Sequence, residues 1–144
     1  MKASNDINGL IKATEDNDSY VAHNAADALA KIGKPAVVQI IDTMRRNDVT
    51  MQFEYVFQTV GEIAVEPLTQ AAIGANPYFR RKIAQALGNT GSFNAINPLI
   101  QMLKDNNEEV QSSACDALGS LSYSIIMLKR TKPLKKKSLK GYSR

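Results

Sequence analysis

Three twelve-residue stretches of this chain align without a gap: Asp18–Leu29 (DSYVAHNAADAL), Asn76–Leu87 (NPYFRRKIAQAL) and Asn107–Leu118 (NEEVQSSACDAL). Each opens on Asp or Asn, whose side-chain oxygen can accept from the free backbone N–H groups of a helix's first turn. Each carries apolar or small residues at its fourth, eighth, ninth and twelfth positions. These are Val21, Ala25, Ala26 and Leu29, then Phe79, Ile83, Ala84 and Leu87, then Val110, Ala114, Cys115 and Leu118. Steps of four, one and three residues trace one face of an α-helix. The small residues on that face let neighbouring helices approach closely. Cys115 occupies the slot of Ala26 and Ala84, which predicts a buried, inert thiol.

A second motif alternates with the first. Ile96-Asn97-Pro98-Leu99-Ile100 precedes the third stretch, and Ile7-Asn8-Gly9-Leu10-Ile11 precedes the first at the same offset. Ala36-Val37-Val38-Gln39-Ile40-Ile41 and Ala64-Val65-Glu66-Pro67-Leu68 fit the same slot. Pro67 and Pro98 suit the first turn of a helix, where a missing N–H costs nothing. Gly33, Gly61 and Gly91 fall between the motifs, where glycine can close a helix in the left-handed conformation. Asn47–Val60 is the divergent unit, but Val49, Phe53, Val56, Phe57 and Val60 keep a helical stripe. The unit is a helix pair repeated along the chain. The pattern predicts eight helices, at roughly 6–16, 18–31, 35–46, 48–60, 64–74, 78–89, 94–105 and 108–121, with no strand-type alternation.

At these residues the chain resembles the short HEAT-like repeats of phycobilisome-lyase-type proteins and of many bacterial and archaeal repeat proteins. The family pattern runs V-R-x-x-A-A-x-A-L-G-x-[IL]-G, then A-[VI]-x-P-L-I-x-x-L-x-D. The match here is Phe79-Arg80 through Ala84-Gln85-Ala86-Leu87-Gly88 to Gly91, then Ala95-Ile96-Asn97-Pro98-Leu99-Ile100 to Asp105. The resemblance covers about residues 6–122 and implies an all-α fold, a right-handed α-solenoid of stacked antiparallel helix pairs. It puts the first helix of each pair on the convex side and the second on the concave side. It also implies that Arg80, at the family's usual arginine, pairs with acids of adjacent repeats. Residues 1–122 are read as the array, about four helix pairs, and 123–144 as a basic, partly disordered tail.

The charge is unevenly placed. The net charge of +4 combines eight basic and no acidic residues in 129–144 with ten basic and fourteen acidic residues in 1–128. An acidic array at −4 is thus followed by a tail at +8. Lys135, Lys136 and Lys137 make nucleic acid a possible tail partner through phosphate contacts, although Tyr142 is the tail's sole aromatic for stacking. The one cysteine cannot form an intrachain disulfide, and the polar N-terminus lacks a secretory apolar core. No run suits a membrane span, so a cytoplasmic protein is expected.

Motifs for chemistry are sparse. His23 is the only histidine, so paired His-Glu iron sites and zinc constellations are not expected, and no metal or cofactor is predicted. His23 is read as a surface or groove residue. Gly88-Asn89-Thr90-Gly91 follows a helix and lacks the strand and lysine of a phosphate loop. The expectation is a non-enzymatic protein-interaction or scaffold module that binds an unknown protein or peptide on its concave face. Helix phase nominates Gln39, Asp42, Arg45, Arg46, Thr69, Gln70, Gln101 and Lys104 as contacts. The alternatives are an accessory subunit of a phycobilin-lyase-like enzyme, implied by the resemblance, and nucleic-acid binding through the tail. A solenoid needs polar caps on its terminal repeats. Residues 6–16 read as a lone second-type helix, and past 121 lysines enter the apolar slots, so end-to-end self-association is also expected.

Overall fold

The computed structural model describes residues 2–46 and 53–131, with side chains described for 6–46 and 53–127. Eight α-helices are described: α1 Lys2–Ala13, α2 Ser19–Ile32, α3 Lys34–Arg46, α4 Glu54–Val60, α5 Val65–Ala72, α6 Pro77–Asn89, α7 Ile96–Met102 and α8 Glu108–Thr131. No strand occurs among the described residues. Helices α2, α4, α6 and α8 stack in order as one layer. Helices α1, α3 and α5 form a second layer, and α7 packs on α8. This is the all-α solenoid of stacked helix pairs that the repeats predict. The expected start of α4 at 48, with Val49, lies outside the described residues, as does the basic segment 132–144.

The caps sit where the aligned stretches place them. The Asp18 side chain accepts from the Tyr20 N–H and the Asn76 side chain from the Phe79 N–H. Asn107 accepts from the N–H groups of Glu109 and Val110 at 2.9 and 3.2 Å. Single 3-10 turns, Gly61–Ala64 and Phe93–Ala95, lead into α5 and α7. They shorten both helices relative to the sequence expectation, and Pro67 and Pro98 fall in the first turns that follow.

Gly33, Gly61 and Gly91 all take left-handed backbone, with φ of 83°, 63° and 65°. Each reverses the chain between the two helices of a pair. The position equivalent to Gly91 one repeat later is Ser122. A residue with a Cβ resists that conformation, and α8 runs on to Thr131. The helix expected to stop at 121 is therefore about ten residues longer, and the boundary placed at residue 122 falls inside it.

The core follows the stripes. Leu29, Ile40, Met44, Phe53, Leu68, Ile83, Leu87 and Leu99 are wholly buried. Burial changes at the two ends of the described array. Ala26 and Ala84 are 3% and 0% exposed, yet Cys115 in the same slot is exposed. The expectation of a buried thiol is corrected here. The helices that carry Ala26 and Ala84 each have a following first-layer helix packed on them, α4 on α2 and α8 on α6, whereas no described helix follows α8. Native protein at low concentration is therefore expected to react with one equivalent of a thiol reagent within minutes. A thiol that reacts only after unfolding would contradict this exposure.

Candidate functional site

The second layer carries the residues that helix phase nominates. Asp42, Gln70 and Gln101 occupy equivalent places in α3, α5 and α7, and all three are exposed. They form a polar column across successive repeats. Between α3 and α5 this surface sinks into a groove of about 580 Å³. Gln39, Asp42 and Arg45 line it from α3, and Gln70 from α5. Its apolar lining comes from Val38, Ile41, Pro67 and Ala71, with Lys34 and Glu66 adding charge. Val38 is 51% exposed and so presents apolar surface to the groove.

The charges in the groove are held in different ways. The Arg45 guanidinium lies 5.1 Å from the centroid of the buried Phe79 ring, which attracts a cation to its face. That contact, reaching from α3 to α6, fixes Arg45 at the groove edge. Asp42 pairs with Arg46 at 3.2 Å across one helical turn. Both are more than half exposed, so the pair contributes only about 0.3–0.5 kcal/mol.

The other nominated residues are placed elsewhere. Arg46 does not line the groove. Thr69 donates its hydroxyl to the Val65 carbonyl of its own helix at 2.7 Å. Gln101 of α7 and Lys104, in the turn after it, are exposed one repeat away. Lys135, Lys136 and Lys137 lie outside the described residues. Lys34, Val38, Ile41, Glu66, Pro67 and Ala71 are the lining residues that helix phase alone misses. The one available signal was Val38, an apolar residue on the otherwise polar phase of α3.

Arg80 sits where the family's arginine is expected, and it clamps three segments. Its Nε and Nη2 donate to both carboxylate oxygens of Asp105 at 2.7 and 2.9 Å. Its Nη1 donates to the Ala75 carbonyl before α6. Asp105 in turn accepts from the Asn107 N–H at 2.9 Å, and Asn107 caps α8. Hydrogen bonding from Arg80 holds the Asp105 carboxyl below the usual carboxylate range, while Asp105 raises Arg80. The neighbouring Arg81 and Lys82 both reach the Tyr78 ring, at 5.1 and 4.6 Å from its centroid. The basic triplet is thus engaged locally.

His23 lies at the surface, as expected, with its ring centroid 4.4 Å from that of Tyr55. A hydrogen bond to Asp27, with that carboxylate's charge, raises the Tyr55 hydroxyl above its ordinary value. Tyr55 is therefore protonated at neutral pH, an unfavourable state for a nucleophile.

No described helix is long and apolar enough to cross a membrane. A comparison with curated proteins finds no match. Residues 65–134 match the family model of HEAT repeats. That segment contains α5 to α8, the Pro67 and Pro98 turns and the Arg80–Asp105 clamp. Joined to the two-layered stack of helix pairs, the match identifies the chain as a HEAT-like repeat protein.

Proposed function

We propose that this chain is a non-enzymatic protein-interaction module that seats a segment of a partner protein in the α3–α5 groove. HEAT repeats in general mediate protein–protein contact, and a solenoid offers an extended surface for it. The observation that carries the reading is the groove's make-up. Half-exposed Val38 and the apolar Pro67 and Ala71 are flanked by Gln39, Gln70 and the fixed cation Arg45. Apolar anchors provide binding energy and a polar rim provides register. The single thiol and the absence of any disulfide suit a reducing, cytoplasmic setting.

Affinity capture followed by crosslinking tests this with full-length chain. The Val38→Asp, Gln70→Arg double variant changes two exposed side chains, so its thermal unfolding should match the parent. Partners retained by the parent should fall at least about tenfold on the variant, as expected when an anchor site is lost. Equal retention by both proteins, mapped by crosslinks outside α3 and α5, would place the interaction surface elsewhere.

A further inference from the structure

The two ends of the described array carry complementary faces. Inside the array, α8 packs on α6 with Ala117 against Gly88, and Val110, Ala117 and Leu121 along α8 are 0%, 5% and 1% exposed. The same positions on α2 are Val21, Ala28 and Ile32. Nothing described covers them from the outer side. Val21 and Ile32 are 38% and 37% exposed, and Ala28 and Ile32 line a groove of about 510 Å³ with Gly9 and Leu10 of α1. At the other end the relation is reversed. Ala84, Leu87 and Gly88 of α6 are buried, Gly88 against Ala117 of α8, and their equivalents on α8 are Cys115, Leu118 and Gly119. Cys115 and Gly119 are exposed, and a Cβ added to Gly119 would meet nothing within 4 Å. The second layer behaves likewise: Ile41 and Met44 are 5% and 0% exposed, while their equivalents Ile100 and Leu103 are 40% and 39%.

We infer that a second copy of this chain docks head to tail, its α1 and α2 covering α7 and α8 of the first. The α8-on-α6 interface would be repeated between copies, with Ala28 of the second copy over Gly119 of the first, as Ala117 lies over Gly88. The α1 of the second copy would complete the helix pair that α8 begins, since Ile7-Asn8-Gly9-Leu10-Ile11 repeats the second-helix motif of α7. A heterologous contact of this kind leaves one free face on each end copy, so the assembly is open and grows with concentration.

Mass measured across concentration on the full chain tests the inference, using Gly119→Arg and Ala28→Arg. Position 119 has open space, and a cooperative melting curve at low concentration, with a midpoint at or above the parent's for Gly119→Arg and near it for Ala28→Arg, confirms folding of each variant. The parent should show species of two, three and more chains as concentration rises from about micromolar to millimolar. Either variant alone should remain a monomer. An equal mixture of the two should form a dimer and nothing larger, because each variant retains one intact face. A parent that stays monomeric throughout, or that stops at a dimer, overturns the inference. So does a variant mixture that stays monomeric while the parent assembles.

Discussion

Asp105→Asn is expected to lower the unfolding free energy at neutral pH by about 2–3 kcal/mol, between an exposed pair and a fully buried one. The Arg80 and Asp105 side chains are 21% and 13% exposed. Both carboxylate oxygens accept from one guanidinium, a fork that an amide cannot match with two acceptors. The substitution would leave the Arg80 charge largely withdrawn from water and unpaired. It would also weaken the link from α6 through Asn107 to the start of α8. Arg80→Ala should cost a similar amount by stranding the Asp105 carboxylate and the Ala75 carbonyl. Arg80→Lys should recover little, since one ammonium cannot span both oxygens. Chemical denaturation of the two single variants and the Arg80→Ala, Asp105→Ala double variant would measure the coupling directly.

The pH dependence has a definite sign. Arg80 holds the folded-state pKa of Asp105 below its unfolded value. The contribution is therefore complete above the unfolded carboxylate range and is lost as pH falls through the folded pKa. Parent and Asp105→Asn should differ most near neutral pH and converge in acid. A difference that widens in acid would contradict the assignment of this carboxylate to the Arg80 clamp.

The layered fold was legible because each element announced itself locally. Asp18, Asn76 and Asn107 mark helix starts through caps that each need only their own first turn. Gly33 and Gly91 mark reversals because the left-handed backbone excludes most other residues. The same logic, applied to Ser122, could have shown that α8 continues. Cys115 was misread for a different reason. Its slot is buried only where another repeat follows, and burial between repeats is set by the neighbour, not by the slot. The groove was legible in half. Helix phase states which side of α3 faces outward, and so nominates Gln39, Asp42 and Arg45. It does not state how far apart α3 and α5 stand, so it could not tell that Lys34, Val38 and Glu66 share one groove with Gln70. Nor could it show that the Thr69 hydroxyl bonds its own helix. The cation–π contact of Arg45 joins residues 34 positions apart in different repeats, which no local pattern records.

Gly88 and Gly119 are the same slot in successive repeats, yet Gly→Ala should have opposite effects at the two. In a helix interior, alanine is favoured over glycine by about 0.8–1.0 kcal/mol. At Gly119 an added Cβ meets nothing within 4 Å, so Gly119→Ala should stabilise the monomer by roughly 0.5–1 kcal/mol. At Gly88 the added Cβ would stand 2.9 Å from the Ala117 Cβ, 3.0 Å from its Cα and 3.2 Å from its carbonyl oxygen. Ala117 has no side chain to rotate away, so α8 itself must move. The shift would reach Val110, Ala114 and Leu121, which pack along the same buried side of α8. Overpacking of this kind typically costs about 1–3 kcal/mol, and here it falls on backbone, at the upper end of that range. The clash outweighs the propensity gain, so Gly88→Ala should be destabilising by about 1–2 kcal/mol net. Gly88→Val should be worse, since a β-branched chain adds two methyl groups to the same gap. Denaturant unfolding at low protein concentration reads all three variants as monomers. A stabilising Gly88→Ala would mean that α6 and α8 stand further apart than the Gly88–Ala117 contact requires.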